Sequence, residues 1–152
     1  MAASPRLRSA VGPVYQAGTL SGNPIAATAG LTTLRLATDD VYTHVTAAGD
    51  AIRDAADKAL SDAGVAHAVQ SAGTMFSVFF TDGPVRDFDD AQRQDTTAYA
   101  AFFHAMLDRG VYLPPSAYEA WFLSSAHDGD AVQTVVDALP AAAAAAREAS
   151  RG

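Results

Sequence analysis

Between Thr38 and Gly64 the chain encodes one long helix with a single apolar face. Val41, Val45, Ala48, Ile52, Ala56 and Leu60 recur at spacings of three and four, which stacks them along one stripe. Thr38 or Asp39 supplies the cap, the helix runs to about Asp62, and Gly64 closes it. Such a stripe is not stable in water until something covers it, so the rest of the chain must provide apolar surface to match.

That surface follows directly. Val65–Ser71 alternates Val65, His67 and Val69 with alanines and Gln70, and Thr74–Phe80 reads TMFSVFF. Aromatic and β-branched residues suit both stretches to strands. Ala72–Gly73 between them reads as a tight hairpin connection. After a turn at Thr81–Pro84, Asp87 or Asp89 starts a third helix carrying Tyr99, Phe102, Phe103, Met106 and Leu107, ended by Gly110. Val111–Leu113 is a short extended piece stopped by Pro114–Pro115, and Trp121–Ser125 reads as a third strand. Asp128 or Asp130 opens a last helix through Val132, Val135, Val136 and Leu139. Pro140 is expected to interrupt it, leaving the alanines at 141–146 to continue toward a frayed end.

Upstream, residues 1–21 are rich in breakers, and Asn23–Pro24 is a helix start. That helix runs through Ile25, Leu31, Leu34 and Leu36 to about Ala37. The expected organisation is a linker and loop at 1–22, a connecting helix at 23–37 and a small α+β domain at 38–152. Its sheet is three-stranded and mostly antiparallel, covered by helices.

Composition narrows the function classes. A length of 152 residues with 49% hydrophobic and 18% charged residues suits one domain with a real core. A net charge of -7 argues against nucleic acid or an anionic membrane as partner. The absence of cysteine excludes disulfides, thiolate metal sites and cysteine nucleophiles, and fits a cytoplasmic protein. No apolar run approaches the ~20 residues that span a bilayer, and the N-terminal residues lack the apolar centre of a secretory signal. His44, His67, His104 and His127 show no metal-type spacing. Asp82, Asp87, Asp89 and Asp90 lack the spacing and terminal Glu of a calcium loop. No Gly-x-Ser-x-Gly elbow is present.

The candidate chemistry lies in Gly12–Pro24, reading GPVYQAGTLSGNP. Gly18, Thr19, Ser21 and Gly22 combine close backbone approach with hydroxyl donors, the means of gripping a phosphate ester. The helix that follows would add its N-terminal amides. On residue types alone, the same run also describes an ordinary loop before a capped helix, which is the commoner occurrence.

Three stretches in order carry a more specific signal: GPVYQAGTLSGNPIAATAGL at 12–31, GTMFSVFFTDGPV at 73–85 and FFHAMLDRGVYLPPSAYEAWFLSSAH at 102–127. Together they resemble the C-terminal portion of the glutamate-1-semialdehyde 2,1-aminomutases, a family of class III pyridoxal-phosphate aminotransferases. The resemblance implies the small domain of a type I pyridoxal-phosphate enzyme, working as a homodimer on a small amino-aldehyde in tetrapyrrole synthesis. It implies that Gly18 and Thr19 reach the cofactor phosphate of the partner subunit, that Tyr15 lies near that shared site, and that Glu119 forms part of the pocket wall. It also implies a lysine that holds the cofactor covalently. The single lysine here, Lys58, stands in the long helix among Asp54, Asp57 and Asp62 and reads as an ion-pair partner. The chain is therefore expected to be inactive by itself. Two alternatives remain: part of another class III aminotransferase, or a non-catalytic folding or dimerisation module. If uncovered, the first helix (Ile25, Leu31, Leu34) is expected either to drive self-association or to leave the first ~20 residues without order.

Overall fold

A computed structural model describes Gly18 and residues 20–151. The chain divides between Thr38 and Asp39 into two compact units.

The first unit contributes helix α1 (Pro24–Leu36). Asn23 caps it as expected, its Oδ1 accepting the N–H groups of Ile25 at 2.9 Å and Ala26 at 3.1 Å, while Pro24 takes the first turn. None of its residues is buried.

The second unit holds the core. Helix α2 (Asp39–Ala63) buries Val45, Ala48, Ile52, Ala56 and Leu60, five of the six predicted stripe positions, and Gly49 beside them. Gly64, at φ +68°, ends it. Strands β1 (Ala68–Ala72) and β2 (Met75–Phe79) pair antiparallel with Ala72 opposite Met75. The turn is thus Gly73–Thr74, one residue later than predicted. Gly73 at φ +62° takes the first central position, which suits only glycine. Strand β3 is just Trp121–Phe122, antiparallel to β2 in the order β1-β2-β3.

The expected third helix is two. Helix α3 (Phe88–Ala91) is capped by Asp87, and helix α4 (Thr96–Leu107) is capped separately by Asp95. The break exists because Gln94 turns inward. Its Oε1 accepts the Phe80 N–H at 3.1 Å and its Nε2 donates to the Ala117 carbonyl at 3.2 Å. The buried Asp90 beside it accepts from the Arg86 main chain at 3.0 Å and from the side chains of Arg86 and Arg93. Those contacts, the Arg86 main-chain N–H foremost, hold its carboxyl below the usual carboxylate range.

Helix α5 (Gly129–Ala149), capped by Asp128, also departs from expectation, because it passes through Pro140 unbroken. Pro140 itself is exposed, on the opposite side of the helix from the buried residues that follow it. The alanine run is no frayed end. Ala142, Ala143 and Ala146 are fully buried and join Leu139 against α4 and α2, small side chains that let helices approach closely. The core they complete comprises Ile52 and Leu60 from α2, Phe76 and Val78 from β2, Phe80, and Phe102 and Met106 from α4. Phe80 packs edge-on against Tyr99 and Phe102, with ring centroids 5.5 Å apart in each case. No helix among the described residues is long and apolar enough to cross a membrane.

Candidate functional site

The predicted site residues fall in both units. In the first unit, Gly18 opens a turn in which its carbonyl accepts the Ser21 N–H at 3.1 Å, and Leu20 accepts from Asn23 at 3.1 Å. A Cβ on residue 18 would stand 2.5 Å from the Ser21 Oγ, so a larger residue there requires that side chain to swing aside. Tyr15 and Thr19 lie outside the described residues.

One expectation for this loop is corrected. The first-turn amides of α1 are not on offer to an anion: Pro24 has none, and Asn23 already takes those of Ile25 and Ala26.

In the second unit, Glu119 is exposed on the connection between α4 and β3. Its loop is pinned from below at two points. The buried Tyr99 hydroxyl donates to the Pro114 carbonyl, and Gln94 holds the Ala117 carbonyl. Ser116 shapes the turn itself, its Oγ accepting the Tyr118 N–H at 3.3 Å and its carbonyl the Glu119 N–H at 3.2 Å. Burial pushes the Tyr99 phenol up to about 12, and the nearby Glu119 carboxylate adds to the rise. The two residues that position the Glu119 loop were not singled out in the sequence. Tyr99 was legible only as a core aromatic, and Gln94 sits in a stretch that reads as helix interior.

A cleft of about 500 Å³ opens beside this loop, lined by residues 111–115 and 119–123 with Ile52, His127 and Val135. Its walls are mostly apolar, and Glu119 is its only carboxylate. The matched SSAH segment closes one side as a turn. The Ser124 N–H donates to His127 Nδ1 at 3.0 Å, the His127 N–H donates back to the Ser124 carbonyl at 3.1 Å, and His44 Nε2 donates to the His127 carbonyl at 3.1 Å. Ser116, Ser124 and His127 thus hold the loop geometry. Lys58 pairs with Asp62 at 2.6 Å, both side chains well exposed. Among the described residues, no group of three His, Asp or Glu side chains is placed to hold a metal ion.

The arrangement fits one side of a phosphate-bearing cofactor's site, through the small-residue loop at Gly18. It does not fit covalent attachment, because the one lysine is in an exposed ion pair and no lysine or arginine lines the cleft.

No protein-family model matches the chain. An omega-transaminase from Sphaerobacter thermophilus superposes with a TM-score of 0.72 at 26% identity, over 93% of this chain and 32% of that one. A structure described as a transaminase with PLP bound gives the same TM-score at 19% identity, again over 93% of this chain and 32% of the other. The fold is therefore that of part of a transaminase. Within that class the sequence is homologous to glutamate-1-semialdehyde 2,1-aminomutase: it is 53% identical to the Cutibacterium acnes protein over 143 residues, 93% of this chain. The chain spans about a third of that relative's length.

Proposed function

We propose that the chain is the C-terminal, small-domain portion of a pyridoxal-phosphate aminomutase that converts glutamate-1-semialdehyde to 5-aminolevulinate, for tetrapyrrole synthesis in the cytoplasm. The observation that carries this reading is the 53% identity to an aminomutase, against 26% to the omega-transaminase of the same fold. Pyridoxal phosphate supplies the electron sink of such a reaction when bound. This chain's contribution is positional. The loop at Gly18, with Thr19 and Tyr15, offers hydrogen bonds to the cofactor phosphate of a second subunit in a homodimer. Glu119, held out on a loop fixed by Tyr99 and Gln94, presents a carboxylate to the amino-aldehyde, and the apolar walls beside it keep water out.

Covalent attachment falls to a lysine that this chain does not carry, and by itself the chain is inactive. A whole enzyme bearing this segment tests the reading. It should form 5-aminolevulinate from glutamate-1-semialdehyde with no added keto acid, whereas a requirement for 2-oxoglutarate would favour a different class III aminotransferase. In the same enzyme Thr19→Val should weaken cofactor retention by ~1–3 kcal/mol, the scale of a hydrogen bond to a charged group. Unchanged retention would reduce Thr19 to a structural residue.

A further inference from the structure

We propose that His127 is a second substrate-binding residue of the cleft. Its ring presents an Nε2–H donor to the space that the Glu119 carboxylate also faces. Together they take up a vicinal amino-carbonyl group, Glu119 the ammonium and His127 the carbonyl oxygen. The inference deepens the aminomutase reading and rests on it, because glutamate-1-semialdehyde and 5-aminolevulinate both carry an amine on the carbon next to a carbonyl.

Every polar atom of His127 but one is already engaged. Its N–H donates to the Ser124 carbonyl at 3.1 Å, its carbonyl accepts from His44 Nε2 at 3.1 Å, and its Nδ1 accepts the Ser124 N–H at 3.0 Å. The Ser124 Oγ stands 3.2 Å from the same ring nitrogen. A main-chain N–H can only donate, so Nδ1 serves as acceptor and the ring proton resides on Nε2. Nδ1 also comes within 3.3 Å of the Ser124 carbonyl, a longer approach to an oxygen that the His127 N–H already occupies. Nε2 has no partner among the described residues, in a half-buried residue that lines the cleft.

Glu119 is in the complementary state. Its N–H is held by the Ser116 carbonyl at 3.2 Å, while its carboxylate makes no hydrogen bond or ion pair among the described residues. The cleft thus offers a free anionic acceptor and a free N–H donor, each carried on a hydrogen-bonded turn, with no lysine or arginine in its lining. A ligand carboxylate placed here would meet no cation and would be repelled by Glu119. A vicinal amino-carbonyl fits both groups: its ammonium pairs with the carboxylate, and its oxygen accepts the imidazole N–H. Mostly apolar walls strengthen the two bonds by thinning the water around them. The roles also separate, since Glu119 selects for an amine and His127 for an amine with an oxygen next to it.

Long-range nitrogen–proton NMR of the histidine rings reads the first premise in the chain itself. His127 should carry its proton on Nε2, and a proton on Nδ1 overturns the proposal. A whole enzyme bearing this segment, stripped of cofactor, is then titrated calorimetrically with two probes: aminoacetone, which holds the amino-carbonyl pair, and propylamine, which holds the amine alone. Aminoacetone should bind. His127→Asn keeps a short acceptor for the Ser124 N–H and removes the Nε2 donor. It should weaken aminoacetone roughly three- to tenfold, the worth of one uncharged hydrogen bond, and leave propylamine unchanged. Glu119→Gln should weaken both probes. Aminoacetone that fails to bind, or that binds the Asn variant as tightly, overturns the proposal. Equal losses for the two probes in that variant overturn it too and leave His127 a residue of the turn alone. None of these readouts uses catalysis, so the pair can fail in an enzyme that still forms 5-aminolevulinate, whereas an enzyme that forms none would sink the broader reading.

Discussion

Helices α1 and α5 are both rich in small apolar residues, yet α5 buries five residues and α1 buries none. The difference lies in pattern. The buried residues of α5, Ala138, Leu139, Ala142, Ala143 and Ala146, form one stripe that meets α2 and α4. In α1, at about 100° per residue, Ile25 and Leu36 fall on one side and Leu34 on the other. All three are more than two-thirds exposed. A helix apolar on opposite sides is suited to being covered on both. The second unit therefore carries a core of its own, and among the described residues α1 adds no buried residue to one.

Substitutions sharpen that contrast, beginning with the largest effect. Phe102, fully buried, should cost ~3–5 kcal/mol when changed to Ala, read from urea unfolding. Leu34→Ala should stay within ~0.5 kcal/mol. Equal losses would show that α1 belongs to the core after all.

Alkaline titration probes the second unit alone. The Tyr99 phenol lies at about 12 in the folded chain, above its ordinary 10. A raised value favours the protonated fold, so the stability it contributes is fully present below pH 10 and is lost as pH rises toward 12. The loss should approach roughly 2–3 kcal/mol, and Tyr99→Phe should remove that slope. A slope unchanged in the variant would place the titrating group elsewhere.

The smallest effect is in the first unit. Asn23→Ala should weaken α1 by ~1 kcal/mol, seen as faster amide exchange at Ile25 and Ala26. The urea midpoint of the second unit should not move. If it does, the two units unfold together.

What the sequence made legible was whatever local chemistry decides. Asn23–Pro24 fixes a helix start by itself, and the stripe from Val45 to Leu60 has one period throughout. What stayed hidden depended on contacts distant in sequence. Gln94 breaks a helix because it bridges Phe80 and Ala117. Pro140 is accommodated because the alanines beyond it are needed in the core. On the connection between α4 and β3, Glu119 was singled out through its motif. Tyr99 and Gln94 were not, since a residue that pins a loop from underneath leaves no motif. The helix-terminus donors expected for a phosphate were misjudged because Asn23 was read as a cap and its amides were still counted as free.

The central claim is that this chain presents hydrogen bonds to a cofactor anchored covalently on a lysine outside it. The most direct measurement combines the chain with the complementary part of the Cutibacterium acnes aminomutase and stoichiometric pyridoxal phosphate, followed by borohydride reduction and peptide mapping. The account predicts a pyridoxyl label on a lysine of the complementary part, with less label when the chain carries Thr19→Val. A label on Lys58 would contradict it.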